Sequence, residues 1–217
     1  YDPIFLLSEE LIREAADLPN VRLELKTKSS NVDHLLALQP KGRTVISFSL
    51  NPQEIIDTEE GYAEPLEARL SAAERAVEAG YAAAFHFDPI IRVTGWEKLY
   101  REVAEKLKRF RGAEIPWVSL GTVRFTKSLR EKIDDRPYLY DEFVPSRDGK
   151  LRYMQKERVR VYAAMREWIR ESLGAPSYLC MESEAVWNRA FGGVPATQDV
   201  EVARLFQWPR GVPEGVR

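Results

Sequence analysis

The sequence predicts an α/β protein: a partial (β/α) barrel of the TIM type, with parallel strands and a helical C-terminal extension. Three observations carry this. Four segments read as strands, at 21–28, 44–51, 80–91 and 116–125. Helical patterns alternate with them, and a repeated helix–strand order is the signature of βα units around a parallel sheet. Two of the strands keep one polar face, which favours a barrel over a doubly wound sheet, because a barrel holds its helices outside and lines its interior with inward side chains. On this reading residues 1–126 form the second half of a barrel and residues 127–217 a cap packed on it.

Ser8 precedes Glu9, Leu11 and Ile12 and reads as a helix N-cap with acids in the first turn. VRLELKTK (21–28) then alternates strictly, Val21, Leu23 and Leu25 against Arg22, Glu24, Lys26 and Lys28. Asn31 is placed to cap a short VDHLLAL helix. TVISFSLN (44–51) sets Ile46, Phe48 and Leu50 opposite Ser47, Ser49 and Asn51. Leu66, Leu70, Ala73 and Val77 recur at helical spacing, and Gly80 closes that helix. GYAAAFHFDPII (80–91) is an apolar strand that Asp88–Pro89 is expected to end. TGWEKLYREVAEKLKRFRG is a second amphipathic helix, and PWVSLGTVRF (116–125) the fourth strand.

Beyond residue 126, FTKSLREKI reads as a short helix and DDRPYLYDEFVPSRDGKLRY as a polar, turn-rich connection. MQKERVRVYAAMREWIRESLG is a long helix with Val159, Tyr162, Ala163, Met165 and Trp168 as its buried positions. APSYLCME is a short strand, SEAVWNRAFG a short helix, and the tail from Gly192 an arm over the domain.

Composition narrows the function. Among 217 residues, 32 basic and 34 acidic side chains leave a net charge of −2, so any surface for a polyanion must be local. No apolar run reaches the ~18 residues of a membrane span, and a reducing, cytoplasmic setting is expected. The single Cys180 excludes an internal disulfide and a multi-cysteine metal site built from this sequence alone. The sequence opens at Tyr1 without a Met, as a fragment would.

Ligands of parallel α/β folds bind at the carboxyl ends of strands. That rule selects Lys28, Ser49, Asn51, Asp88 and the Gly121–Arg124 stretch. Lys28 suits an anionic group such as a carboxylate, and Ser49 and Asn51 offer a hydroxyl and an amide on one face for a ribose or amino-acid moiety. The same residues also read as polar strand ends solvated by loops. No G-x-G-x-x-G, P-loop, G-x-S-x-G or H-E-x-x-H motif occurs. His34 reads as structural, and His86 either faces a lumen or satisfies a core hydrogen bond. Cys180 reads as a small buried hydrophobe, and Glu182 and Glu184 as the acidic start of a helix. Basic clusters at 106–111, 124–132 and 158–170 fit phosphate contacts or ordinary helix-end pairing equally.

The segments RLELKTKSSNVDHLL, TVISFSLNPQ, RLSAAERAVEAGY running into AAAFHFDPII and TGWEKLY, and WVSLGTVRFTKSLREKI together resemble the spore photoproduct lyase family of radical S-adenosylmethionine enzymes. The likeness extends over about residues 1–173, with KSSNVDHLL (28–36), the FS-x-N strand end and PI…GW as its most specific pieces. It implies a partial barrel in which a four-iron–four-sulfur cluster cleaves S-adenosylmethionine to a 5′-deoxyadenosyl radical. That radical starts the reversal of a thymine-type lesion in DNA. Lys28 falls where the family's lysine meets the cofactor carboxylate, and Ser49 and Asn51 where the strand end contacts the same cofactor. The cluster cysteines and the hydrogen-donor cysteine map upstream of Tyr1. The arginine–tyrosine pair that handles the lesion aligns near Pro145 and Ser146, which supply neither group. The segment SYLCMESEAVWNRAFG also departs from the family, so the resemblance leaves the substrate open. It further implies an electron donor such as flavodoxin or ferredoxin, and DNA as partner. Arg92, Arg124 and Lys127, which follow strand ends, are then the candidate DNA contacts. The alternative from another class is a non-catalytic nucleic-acid-binding or interaction module that keeps the barrel scaffold.

Overall fold

Strand periodicity becomes a sheet in the computed structural model, which describes residues 6–18, 21–39, 42–132, 136–140 and 142–192. The chain opens with α1 (Leu7–Ala16), β1 (Leu23–Thr27), α2 (Asp33–Leu36), β2 (Thr44–Ser49), α3 (Gln53–Glu59) and α4 (Leu66–Glu78). It continues through β3 (Ala82–Ile90), α5 (Trp96–Lys106), β4 (Val118–Thr122), β5 (Arg124–Thr126) and α6 (Lys127–Arg130). Last come β6 (Phe143–Pro145), β7 (Lys150–Tyr153), α7 (Gln155–Ser172), β8 (Ser177–Leu179) and α8 (Glu184–Phe191). β1, β2, β3, β4 and β8 form one sheet in that order, and every neighbouring pair is parallel. β5, β7 and β6 make a small antiparallel sheet beside it.

Helices cover one face of the parallel sheet. Ile46, Phe48, Phe85, Phe87, Val118 and Leu120 point that way, into one core with Leu66, Leu70, Tyr100, Val103, Val161 and Met165. Burying each such side chain is worth roughly 1.5–3 kcal/mol, so this layer dominates the favourable energy. The opposite face carries the alternate residues. Val45, Ala82, Ala84 and Trp117 close its lower end as a separate apolar cluster.

Several expectations change. Ser8 does not cap α1; Leu6 holds that position, and Ser8 sits buried inside the helix with its Oγ 3.3 Å from His34 Nε2. Ile12 and Ala15 follow it at i+4 and i+7, which places Ser8 on the buried face. Asn31 makes no cap either: α2 starts at Asp33, and the Asn31 N–H donates to Ser29 Oγ. Asp88–Pro89 does not end its strand. The Asp88–Pro89 peptide is cis, and β3 runs on to Ile90 with a register shift between Phe87 and Ile90. The polar stretch 134–153 contains the β6–β7 hairpin. The buried face of α7 is Arg158, Val161, Tyr162, Met165 and Ile169, with Ala163 exposed and Val159 and Trp168 only partly covered. The arm expected from Gly192 lies outside the described residues.

Candidate active site at the barrel mouth

The register stacks the uncovered face of the sheet in rows. Ser49, His86, Ser119 and Tyr178 are successive partners across β2, β3, β4 and β8, one row above Ser47 and Ala84. Glu24 reaches into this face from the edge strand β1. Its Oε1 accepts from Ser47 Oγ at 2.6 Å and Trp117 Nε1 at 3.2 Å, and stands 2.7 Å from His86 Nε2. His86 therefore stands on the face turned away from the helices and is buried in a hydrogen bond with Glu24, so both positions its sequence allowed hold at once.

At the mouth, Lys28 and Asn51 converge on Glu60, a residue that the sequence reading passed over, and the Ser49 carbonyl joins them through Arg69. Glu60, just past α3, has a side chain only 4% exposed. Its Oε1 meets Lys28 Nζ at 3.0 Å and accepts from Asn51 Nδ2 at 2.8 Å; its Oε2 accepts from Arg69 Nη2 at 2.5 Å. Arg69 is fully buried and also donates to the carbonyls of Ser49 at 2.8 Å and Glu64 at 2.7 Å. Asn51 Oδ1 in turn accepts from Tyr100 Oη at 2.8 Å, and that hydroxyl accepts the Ile91 N–H. Lys28 is nearly half exposed, with its ammonium paired to Glu60. Ser49 and Asn51 are both buried.

Three donors explain the charge state of Glu60. Burial alone raises its pKa, but the hydrogen bonds from Asn51, Lys28 and Arg69 outweigh that and hold the carboxyl below the usual range. Glu24 behaves alike: burial pushes up, and His86, Ser47 and Trp117 together pull further down. A carboxylate with a depressed folded-state pKa stabilises the protein above its unfolded value, here the ordinary 4.5. That contribution disappears as the pH falls through the lower folded value. Stability should thus decline on acidification below about pH 4.5, and Glu60→Gln should flatten that acid limb in urea titrations at stepped pH. An unchanged limb would refute the assignment.

A second cluster occupies the other side of the mouth. Arg124 Nη1 and Nη2 reach Asp88 Oδ1 and Oδ2 at 3.1 and 3.4 Å, and Nη2 lies 3.8 Å from Cys180 Sγ. Asp88 lies flat across β4 because residue 121 is glycine: a Cβ there would meet Asp88 Oδ1 at 2.4 Å and Cγ at 2.7 Å. Cys180 is thus not a simple buried hydrophobe. Burial and Asp88 push its thiol up, against the pull of Arg124. Arg92 pairs with Glu157 at 3.0 Å and stacks over the Tyr153 ring. Lys127 is exposed at the start of α6. The structure thus brings Lys28 and Asn51 together on Glu60, links the Ser49 carbonyl to them through Arg69, and sets Arg124 across the mouth at the ends of β3 and β4. It commits both Arg92 and Arg124 to carboxylates.

Glu182 also moves from its expected place. It does accept the N–H of Ser183, the α8 N-cap, at 3.3 Å, but it is also buried against Arg158 Nε at 3.0 Å and accepts from Tyr162 Oη at 2.9 Å. Among the described residues no cluster of three His, Cys, Asp or Glu side chains suits a metal ion, and no helix is long and apolar enough to cross a membrane.

The sequence model of the family described as "Spore photoproduct lyase" matches residues 7–162. The chain belongs to the spore photoproduct lyase family. Among curated members it is 36% identical over 118 residues to the spore photoproduct lyase of a Geobacillus species, covering 53% of this chain and 35% of that protein. Against the Bacillus subtilis lyase it is 40% identical over 86 residues, 40% of this chain and 25% of that one. A solved spore photoproduct lyase complexed with dinucleoside spore photoproduct superposes with a TM-score of 0.73 at 27% identity, over 82% of this chain and 57% of that chain. Another, with bound AdoMet and the same dinucleoside, gives 0.71 at 28% identity over the same shares. The chain therefore spans little more than half of the solved lyases, and those matches fix its architecture as the family's partial barrel. The matched relatives are lyases, and none of them supports the non-catalytic alternative.

Proposed function

We propose that this chain is the mouth-forming part of a radical S-adenosylmethionine lyase acting on a thymine-type lesion in DNA. Residues 1–126 are the second half of its barrel. Residues 127–217 are a cap that also lends β8 to the sheet. The observation that carries this is the cluster at the ends of β1 and β2, where the Lys28 ammonium and the buried Asn51 amide meet on Glu60 and buried Ser49 is tied in through its carbonyl, in a family whose solved members include one with bound AdoMet. The donor set suits the amino-acid half of that cofactor: Lys28 for the carboxylate, with Ser49 and Asn51 flanking it. Bound there and reduced by one electron from the cluster, S-adenosylmethionine would supply the hydrogen-abstracting radical, with methionine as the other product. One cysteine cannot furnish the three thiolates that a four-iron–four-sulfur cluster takes in this superfamily. Its ligands are proposed upstream of Tyr1, with flavodoxin or ferredoxin as electron donor and the cytoplasm as location.

The cofactor reading is tested by Lys28→Ala in the complete protein. Cofactor affinity should fall by ~1–3 kcal/mol, the range for losing a charge-assisted hydrogen bond, measured by calorimetry. Unchanged affinity would remove Lys28 from the site. For DNA, Arg92, Arg124 and Lys127 are the proposed contacts, and their surroundings rank them. Arg92 and Arg124 carry carboxylate partners that offset their charge, whereas Lys127 stands exposed. Lys127→Ala should lower the slope of log affinity against log salt by about one unit, and Arg124→Ala by less. Complete absence of salt-dependent DNA binding would transfer the radical chemistry to a smaller substrate.

A further inference from the structure

Resting on the reading of Lys28 as the cofactor-carboxylate partner, we propose that Glu60 is a positioning residue that holds the Lys28 ammonium in the cleft and tunes the site for ligands bearing a carboxylate. Lys28 is tied to the 60–64 segment at both ends. Its Nζ is 3.0 Å from Glu60 Oε1, and its carbonyl accepts the Glu64 N–H at 3.2 Å. Glu60 is itself immobilised, because Arg69 grips its other oxygen at 2.5 Å while donating to the carbonyls of Ser49 and Glu64. One carboxylate thus fixes the ends of β1 and β2 relative to each other and to the α3–α4 connection.

The chemistry of the pair gives Glu60 its specificity role. A lysine head is a flexible point charge with three donors, so it recognises a carboxylate well only when something restrains it. Glu60 engages one donor and leaves the remaining ones available to a ligand. Charge balance works in the same direction: Lys28 and Arg69 against Glu60 leave one net positive charge at the mouth, enough to favour an anion. Replacing Glu60 by Gln defeats this in either amide orientation. An NH2 at the Oε2 position faces the Arg69 donor, and at the Oε1 position it faces both Lys28 and Asn51.

A ligand pair separates positioning from mere structural support. In the complete, cluster-loaded protein, affinities are measured for S-adenosylhomocysteine and for 5′-methylthioadenosine, which lacks the amino-acid carboxylate. Glu60→Gln should weaken the first about tenfold and leave the second within about twofold. Lys28→Ala should show the same selective loss, and the double variant should lose no more than Lys28→Ala alone. Glu60→Asp, which restores the charge on a shorter arm, should recover part of the selectivity. Where Glu60→Gln does not fold, Glu60→Asp carries the test, and an unaltered affinity ratio overturns the proposal. Equal losses for both ligands with Glu60→Gln, beside a selective loss with Lys28→Ala, overturn the role of Glu60 but keep the cofactor reading. No selective loss with Lys28→Ala overturns both.

Discussion

Arg158→Ala should lower the unfolding free energy by roughly 3–5 kcal/mol, the range for removing one partner of a buried ion pair. The Glu182 side chain is 2% exposed, and its charged partner in the structure is Arg158, at 3.0 Å. The remaining contacts, the Tyr162 hydroxyl at 2.9 Å and the Ser183 N–H at 3.3 Å, cannot offset a buried carboxylate. The loss spreads further, because Arg158 Nη1 donates to the Tyr153 carbonyl at the end of β7, and Tyr162 also accepts the Thr122 N–H of β4. The Arg158 guanidinium thereby joins α7, the small sheet and the β8–α8 connection, and Tyr162 extends the network to β4. The double variant Arg158→Met with Glu182→Leu removes both charges and should recover most of the loss. Urea unfolding of the single and double variants decides it. A single-variant cost below about 1 kcal/mol would place the pair with exposed ion pairs.

That network also marks where sequence reasoning stopped. The strands were legible because one face meets helices and the other does not, so Leu23 and Leu25 alternate with Glu24 and Lys26, and Ile46 and Phe48 with Ser47 and Ser49. Strand ends then pointed to Lys28, Ser49 and Asn51. Glu60 left no such trace, since an acid just after a short helix is ordinary surface chemistry in most proteins. Arg69 did leave one: it shares a helical face with Leu66, Leu70 and Ala73, and a charge on an apolar face requires a buried partner. The β6–β7 hairpin was signalled by Asp148–Gly149 between two short runs, but the surrounding polar residues masked it. Glu182 was read locally, as a helix start. Its partner is 24 residues upstream on a different element, a separation no periodicity reports.

Arg69→Ala should be as costly as Arg158→Ala, again about 3–5 kcal/mol, with a different functional consequence. Arg69 is fully buried and uses its guanidinium three ways, to Glu60 Oε2, the Ser49 carbonyl and the Glu64 carbonyl. Truncation leaves the Ser49 and Glu64 carbonyls without this donor, removes a counter-charge from Glu60, and opens a void at a fully buried position of α4. Lys28 and Asn51 still hold Glu60, which limits the electrostatic part; the carbonyls and the void supply the rest. Arg75, six residues along the same helix, is the internal comparison. It pairs with well-exposed Asp33 at 3.1 Å and donates to the Ser30 carbonyl at 2.9 Å from a partly exposed position, so Arg75→Ala should cost only about 1 kcal/mol. The two variants share helix, residue type and substitution, so their difference isolates burial. Because Arg69 fixes the Ser49 carbonyl, its loss should also weaken S-adenosylhomocysteine binding under conditions where the variant is still folded, whereas Arg75→Ala should leave binding unchanged. Equal urea midpoints for Arg69→Ala and Arg75→Ala would show that the buried guanidinium anchors neither the strand end nor Glu60.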